Sequence, residues 1–328
     1  MADKTAIEWS DATWNPVTGC TKASEGCRYC YAEREWPRLT KLVPAYAERD
    51  FTDVRTHGER LDHPIRWAKR RRIFVNSMSD LFHPSVPDDF IDNVFGVMWA
   101  CLYGRNEQDG HIFQVLTKRA DRMRNYLSTD RREAWAQAAV RHGGSIDPDG
   151  LYEQVLSFEG PHPRIWLGVS IEDQATVDER LPLLLQTPAA VRWISAEPLL
   201  GPVSLPFERI GHWNALAIKS NQPWATTGLH WVVVGGESGP KARQMHPAWA
   251  RSLRDQCAAS GVPFLFKQWG EWIDDDNINS ANLRAPQIAD PNEFFSEHNW
   301  KDGLSSWRVG KKAAGRLLDG SLHDAYPR

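Results

Sequence analysis

The run RRIFVNSMSD, residues 71–80, has a β-branched and aromatic centre and a polar end, which is typical of a buried strand. It is followed by VPDDFIDNVFGVMWACLYG, residues 86–104, in which Pro87 and two aspartates mark the start of a helix. A strand followed directly by a helix of this length predicts one unit of a parallel α/β sheet.

The same strand-like pattern recurs along the chain and indicates the fold class. Six further runs are apolar and β-branched on both faces, as expected for strands that are covered on both sides. Seven such units favour a full or partial (β/α) barrel of parallel strands, with a doubly wound open sheet as the alternative. The six runs are DATWNPVTGC (11–20), HIFQVLTKR (111–119), RIWLGVSIED (164–173), VRWISAEPLL (191–200), HWVVVGGESG (230–239) and VPFLFKQWGEW (262–272).

Three stretches depart from this pattern, and two of them set the predicted domain limits. Residues 201–229 separate two strands without a clear amphipathic helix. Residues 141–163 are rich in Gly, Pro and Asp and look like an insertion. The chain is polar and irregular from residue 273 onward. We therefore predict an α/β barrel over residues 1–272 with an insertion near 141–163, and an irregular C-terminal extension, residues 273–328, packed on the barrel.

The composition is that of a globular protein without a membrane segment. Apolar residues make up 41% and charged residues 25% of the 328 residues, and the net charge is −3, so no global attraction to nucleic acid or membrane is evident. The opening MADKTAIEWSDATW lacks the apolar core of a signal peptide. No run of about 18 apolar residues occurs. We therefore expect a cytoplasmic protein.

Two compositional features bear on possible ligands. The run KRRR, Lys69–Arg72, is either a phosphate-binding patch or a solvated end of a helix. Sixteen tryptophans indicate either a large core or aromatic platforms for flat ligands.

Three of the five cysteines lie close together in GCTKASEGCRYCYAER, residues 19–34. Cys20, Cys27 and Cys30 are spaced C-x6-C-x2-C, and in a cytoplasmic protein such a cluster favours metal ligands over disulfides. Three thiolates suit a 4Fe–4S cluster with one iron left open. A zinc site needs a fourth ligand, for which the candidates are His57, His63 and His83.

The other two cysteines have a different context. Cys101 and Cys257 lie in helical patterns, and we expect both to be small buried apolar residues.

Polar side chains end most of the predicted strands. Because ligands of parallel α/β sheets bind at the carboxyl ends of the strands, these residues are candidates for a binding site. A purely structural role in strand-end turns is the alternative for each of them. The candidates are Ser77, Ser79, Asp80, Ser170, Glu197 and Glu237.

The loop CTKASEGCRYC, residues 20–30, resembles the cluster loop of radical S-adenosylmethionine enzymes. The usual pattern there is C-x3-C-x-aromatic-C, and Cys27, Arg28, Tyr29 and Cys30 match its last four positions. The first spacing is six residues instead of three. Over most of its length the chain is similar to a phage-associated family of radical-SAM-like proteins with a three-cysteine motif. That likeness is carried by EWSDATWNPVTGC, CRYCYAER, IFVNSMSDLFH, LTKR, WLGVSIE, SAEPLLGP, VVVGGESG, FKQWGEW and GKKAAGRLLDG.

The resemblance implies a cofactor set and a reaction type. Cys20, Cys27 and Cys30 would each ligate one iron, and the fourth iron would chelate the methionyl amine and carboxylate of S-adenosylmethionine. An external electron donor would reduce the cluster, and cleavage of the sulfonium would give a 5′-deoxyadenosyl radical. That radical would take a hydrogen atom from the substrate, while the protein orients the cofactor and excludes water.

Radical-SAM enzymes often hold the methionyl amine with Gly-Gly-Glu at the end of the second strand. Here that strand ends in NSMSD, and the Gly-Gly-Glu, Gly235–Glu237, belongs to a later strand. By position, Ser77, Ser79 and Asp80 are the candidates for the methionyl end. Glu197 and Glu237 are candidates for the ribose hydroxyls.

The substrate class stays open between nucleic acid, a small molecule and a peptide. LTKR and SAEPLL are also similar to the spore photoproduct lyase group, which acts on DNA, and KRRR would then hold phosphates. Two other functions remain as alternatives, namely a non-catalytic Fe–S protein that binds nucleic acid and a zinc-stabilised binding protein. A partner protein cannot be named from the sequence.

Overall fold

Seven parallel strands form the centre of the protein in a computed structural model that describes residues 5–104, 110–144, 147–207, 228–280 and 296–327. Each strand pairs with the next one of the sheet along the chain, as the sequence predicts. From edge to edge they are β1 (Ala12–Trp14), β4 (Arg72–Val75), β5 (Ile112–Thr117), β6 (Ile165–Ile171), β7 (Val191–Ala196), β8 (Trp231–Gly235) and β9 (Phe264–Gln268).

Helices cover one face of this sheet. The helix predicted after residues 71–80 begins after Pro87 and carries Asp88 and Asp89 in its first turn, where carboxylates interact favourably with the helix dipole. In the described ranges the helices are α1 (Tyr31–Leu42), α2 (Asp88–Leu102), α3 (Ala120–Leu127), α4 (Arg132–Gly143), α5 (Pro148–Ser157), α6 (Gln174–Gln186), α7 (Pro247–Ser260), α8 (Asp275–Ser280) and α9 (Lys311–Ala314).

Alternate residues of each strand enter two different cores. In β4, Ile73 and Val75 join the large core under the helices, whereas Phe74 between them points to the other face. That second face holds four buried tryptophans in a cluster of their own. The cluster comprises Trp9, Trp166, Trp193 and Trp231.

The contacts of Trp9 show that the sheet curls. This residue precedes β1, yet its ring lies 5.1 Å from that of Trp193 in β7 and 6.3 Å from that of Trp231 in β8. A flat sheet would separate these strands by several strand spacings of about 4.8 Å each. The edge strands β1 and β9 remain unpaired with each other, so the architecture is a half-barrel whose concave side is filled by tryptophan at the amino ends of the strands. These four tryptophans are therefore core residues, which is one of the two explanations that the sequence offered for the high tryptophan content.

The predicted insertion, residues 141–163, contains a helix. Asp147 caps α5 by accepting a hydrogen bond from the amide of Gly150. Leu151 and Val155 of α5 pack with Trp99 of α2. The stretch therefore extends the helical layer over the sheet.

The C-terminal part differs from the irregular extension that the sequence predicts. It contains an antiparallel sheet of β10 (Trp272–Asp274), β12 (Ser305–Arg308) and β11 (Glu297–Asn299), whose short strands leave no clear periodicity in the sequence. Trp272, predicted in the last parallel strand, belongs to this sheet. The tail returns to the half-barrel, where Trp231 Nε1 donates to the carbonyl of Ala325 at 2.8 Å.

A third sheet pairs two short strands near the amino terminus. It consists of β2 (Val17–Thr18) and β3 (Arg55–Thr56), which pair in antiparallel fashion. None of the helices in the described part of the chain has the length and apolar character that crossing a membrane would need.

Candidate functional site

The loop with the three clustered cysteines lies at the carboxyl end of the parallel sheet. Gly19 starts it with φ +86°, and a Cβ there would lie 2.4 Å from the carbonyl oxygen of Asp53, so only glycine fits this turn. Gly19 also bridges to Ser79, just after β4. At its other end, Cys30 is the residue that precedes α1. The loop is thus fixed where β1 and β4 end.

The five cysteines divide as the sequence predicts. None of them is in a disulfide, and Cys20, Cys27 and Cys30 are half-buried in the loop. Cys101 and Cys257 are buried in the large core. Burial raises the pKa of the Cys257 thiol to about 12, as expected of an inert core residue.

Cys20 lies beside a buried ion pair. Burial raises the pKa of its thiol to about 11, and the charge of Asp80 adds to that effect. The guanidinium of Arg119 acts in the opposite direction, because its Nη1 donates to Cys20 Sγ at 3.6 Å. The same Nη1 donates to Asp80 Oδ2 at 2.9 Å.

Cys30 lies at the start of α1. Burial raises the pKa of its thiol, whereas the backbone amides of the first turn of α1 and the ammonium of Lys118 lower it. The charge of Cys27 contributes to the raised pKa of both Cys20 and Cys30, so the three sulfurs are electrostatic neighbours. The helix amino terminus and the nearby cations therefore offset part of the effect of burial, which still leaves the pKa values of Cys20 and Cys30 raised.

Asp80, a candidate acceptor for the methionyl amine, is fully engaged by the protein. Its Oδ1 accepts from Thr117 Oγ1 at 2.7 Å and from the amide of Phe82 at 2.9 Å. Its Oδ2 accepts from the amide of Lys118 at 3.1 Å and from Arg119. A carboxylate offers about four acceptor positions, so Asp80 has a structural role under the cysteine loop and none of its acceptor positions is left for a ligand.

Glu172, at the end of β6, forms a second buried ionic group under the loop. Its side chain is 1% exposed and pairs with Lys118 Nζ and, at 3.3 Å, with Arg180 Nη1. Ser24 of the cysteine loop donates to Glu172 Oε1 at 2.9 Å. A Cβ on Gly26 would lie 2.4 Å from Glu172 Cγ, so the loop backbone rests directly on this carboxylate.

Glu237 is also occupied by the protein. Arg243 donates to its carboxylate through Nε at 2.9 Å, through Nη2 at 2.6 Å and through its own amide at 2.8 Å. The Arg243 guanidinium lies 5.3 Å from the centre of the Tyr29 ring and donates to the carbonyl of Glu25 at 3.1 Å. Glu237 therefore orients an arginine that contacts the cysteine loop, and three hydrogen bonds from Arg243 already occupy most of its acceptor positions.

Glu197 faces the concave side of the half-barrel. Lys267 Nζ lies 2.7 Å and 2.9 Å from its two carboxylate oxygens, and Gln268 Nε2 donates to it at 3.1 Å. Gly235, on the strand between them, leaves room for this pair because a Cβ would lie 3.3 Å from the Glu197 carboxylate. Ser170 and Ser195 are directly paired in register on β6 and β7. These side chains form a polar layer above the tryptophans.

Ser77 and Ser79 follow β4 at the same end of the sheet. Ser77 Oγ exchanges hydrogen bonds with the Asn15 amide at 3.1 and 3.2 Å, and Ser79 Oγ donates to the carbonyl of Val17 at 2.8 Å. The Tyr31 hydroxyl donates to the carbonyl of Ser77. Desolvation, then the charges of Cys30 and Glu197, raise the pKa of the Tyr31 hydroxyl, although Tyr31 as a whole is 43% exposed.

The histidines proposed as zinc ligands have other partners. His57 contacts Thr18 Oγ1 at 2.8 Å and Glu59 Oε1 at 3.0 Å through its two ring nitrogens. His83 contacts Thr21 Oγ1 at 2.8 Å and the amide of Ser85 at 3.1 Å in the same way. His63 is half-buried next to Pro64. Among the residues that the structure describes, no three His, Cys, Asp or Glu side chains are arranged to hold one metal ion.

The basic run KRRR lies at the wrong end of the sheet for the cysteine loop. Arg72 is the first residue of β4, at its amino end, and pairs with Asp11 at 3.0 Å while lying 4.3 Å from the centre of the Tyr326 ring. Arg71 lies 5.0 Å from the centre of the Trp67 ring. These arginines pack against the fold at the opposite end of the sheet from the cysteine loop, so their position does not support the prediction that the run holds substrate phosphates.

Several site residues escaped prediction because their partners are distant in sequence. Arg119 is visible only as the last residue of the predicted strand run 111–119, and Arg243 and Tyr31 carry no pattern of their own. Asn15 follows β1 at the same rim as the other strand-end residues, which is the signal that could have found it. Arg180 lies two turns after Glu172, a spacing that allows a contact without requiring it.

Comparison with protein families gives a match over nearly the whole chain. The model of a family described as "Protein of unknown function (DUF5131)" matches residues 4–327. Comparisons with curated proteins and with solved structures found no match.

Proposed function

We propose that this chain, which belongs to the DUF5131 family, is a cytoplasmic radical S-adenosylmethionine enzyme with a 4Fe–4S cluster held by Cys20, Cys27 and Cys30. The observation that carries the proposal is the position of three free thiols in one loop at the carboxyl end of a parallel half-barrel. Thiolates are the ligands of Fe–S clusters, and three of them leave one iron open for a small molecule. The kind and number of donors therefore suit such a cluster, in which each thiolate would bind a different iron rather than all three binding one ion.

Several groups around the thiols oppose the effect of burial, which by itself disfavours their charged form. Arg119 donates to the sulfur of Cys20, and the first turn of α1 favours the thiolate of Cys30. Lys118 and Arg180 lie with Glu172 below the loop. These groups would compensate the charge of the ligating sulfurs.

The concave side of the half-barrel would bind the cofactor and exclude water. When bound, the cluster and S-adenosylmethionine supply the electron transfer and the carbon radical for hydrogen abstraction. Trp193 and Trp231 close the floor because both are fully buried. Above them, Ser77, Ser170 and Glu197 are the residues we assign to S-adenosylmethionine, with Glu197 accepting from its ribose hydroxyls. Ser79, Asp80 and Glu237 are assigned to structural contacts.

The decisive experiment is anaerobic purification with metal analysis, beside two cysteine variants. Cys27→Ala is expected to lose the iron, whereas Cys101→Ala, which changes a buried core cysteine, retains it. With strong reductant and S-adenosylmethionine, the wild type should release 5′-deoxyadenosine. A colourless zinc protein would refute the proposal. A brown protein that releases no 5′-deoxyadenosine would support a non-catalytic Fe–S protein instead.

For the substrate we propose nucleic acid, with an external electron donor as the second partner. The support is the likeness of LTKR and SAEPLL to an enzyme group that acts on DNA. Titration of single-stranded and duplex oligonucleotides at several salt concentrations tests this class, because phosphate contacts weaken as salt rises. If neither form binds, the substrate is a small molecule or a peptide.

A further inference from the structure

The contact between Glu172 and the cysteine loop joins two parts of the chain that are 148 residues apart. Glu172 stands at the end of β6, and Ser24 stands midway between Cys20 and Cys27. The Ser24 hydroxyl donates to Glu172 Oε1 at 2.9 Å. Gly26 lies against the same carboxylate without room for a side chain.

The carboxylate is itself rigidly held. Lys118 contacts Oε1, and Arg180 Nη1 lies 3.4 Å from Oε1 and 3.3 Å from Oε2. Arg180 Nη1 also donates to the carbonyl of Ser170 at 2.8 Å, which fixes the guanidinium to the strand. A buried carboxylate with two cationic partners has one orientation, so the loop that rests on it is held in one position.

We infer that Glu172 is the positioning residue that fixes the cysteine loop to the sheet and sets the spacing of the loop from the polar layer. Two loop residues contact Glu172. Ser24 donates a hydrogen bond from its hydroxyl, and the backbone of Gly26 packs against the carboxylate where no side chain would fit. The role is independent of any metal, because every contact belongs to the protein itself. Its consequence for iron retention rests on the proposed function.

Two loop variants test the contact while leaving the buried charges intact. Ser24→Ala removes the hydroxyl, and Gly26→Ala places a methyl group into the carboxylate. Amide hydrogen exchange of segment 20–30 in the metal-free protein should quicken about tenfold or more for both, which corresponds to about 1.4 kcal/mol. Gly58→Ala is the matched control, because a Cβ at that glycine meets nothing within 4 Å.

The carboxylate is tested with a matched pair of glutamates. Glu172→Gln removes the buried charge, whereas Glu179→Gln removes an exposed carboxylate, 65% accessible, that also contacts Arg180. Glu172→Gln should quicken exchange in segment 20–30 more than in β7, and Glu179→Gln should change neither. Equal quickening in both segments would mean a general loss of stability and would overturn the inference, as would unchanged exchange in Ser24→Ala.

Iron provides the second readout. After anaerobic reconstitution with iron and sulfide, Ser24→Ala should lose iron to a chelator about tenfold faster than wild type, and Gly58→Ala should match wild type. Equal rates in Ser24→Ala and wild type would overturn this part of the inference. If the wild type takes up no iron, the proposed function fails, while the exchange measurements still decide the role of Glu172.

Discussion

Asp80→Asn distinguishes a ligand-binding role from a structural one. The carboxylate receives four donors from the protein, two at each oxygen. An asparagine keeps one oxygen and replaces the other with an NH2 group, which cannot accept. At least two hydrogen bonds are therefore lost, and with the amide facing Arg119 one of them is the charge-assisted bond to the guanidinium.

The magnitude follows from these contacts. A hydrogen bond to a charged group contributes about 1.5–3 kcal/mol and a neutral one about 1 kcal/mol. The side chains of Asp80 and Arg119 are 7% and 13% exposed, so screening by water is limited. We expect a loss of about 3 kcal/mol in the free energy of unfolding, at the lower end of the cost of breaking a buried ion pair.

Thermal unfolding of the metal-free protein measures this loss. An unfolding entropy of about 2.1 cal/mol/K per residue gives about 0.7 kcal/mol/K for this chain, so the midpoint should fall by about 4 °C. Asp88→Asn is the control, because Asp88 is 54% exposed in its pair with Arg122 and should cost at most about 1 kcal/mol. If Asp80→Asn unfolds at the wild-type temperature and only loses affinity for S-adenosylmethionine, the structural assignment is wrong.

Further perturbations test two half-buried histidines, the floor of the half-barrel and the polar layer. Burial lowers the pKa values of His162 and His230 to about 4, so the unfolded chain binds more protons below about pH 6.5. Urea titrations should therefore show stability falling between about pH 6.5 and 4, less steeply in His162→Asn; parallel slopes would contradict this. Gly168→Ala would place a Cβ 2.5 Å from the Trp193 ring and should cost about 1–3 kcal/mol in urea unfolding, beside an unaffected Gly58→Ala. Glu197→Gln should weaken S-adenosylmethionine binding about tenfold in anaerobic calorimetry, and unchanged affinity would remove Glu197 from the site.

The strands were predictable because the residue pattern of each one reflects how it is buried. Runs such as 164–173 are apolar on both faces, and β6 is buried along its whole length. Strand order followed from the βα alternation alone. Trp272 was misplaced because β9 and β10 are separated by only three residues, and a hydrophobic pattern does not show which sheet a strand joins.

The location of the site was predictable from the sequence, whereas the roles of its individual residues were less so. Polar residues at strand ends do gather at one rim, but sequence gives no measure of how many donors a carboxylate already has. Asp80 and Glu237 look like ligand acceptors until Arg119 and Arg243 are placed beside them. Each arginine lies far in sequence from the cysteine loop that it also contacts, so the three-way contact exists only in the folded chain.

The charged side chains under the cysteine loop explain why Asp80 and Glu172 form their contacts within the protein. Lys118, Arg119 and Arg180 face Asp80 and Glu172, and all five side chains are less than one-fifth exposed. The exposed Glu179 adds little, since water screens it. One positive charge is therefore in excess within this group, next to Cys20 and Cys30. Carboxylates that hold the cations in place without fully neutralising them leave Arg119 and Lys118 able to lower the pKa values of Cys20 and Cys30, which opposes the larger effect of burial on both thiols.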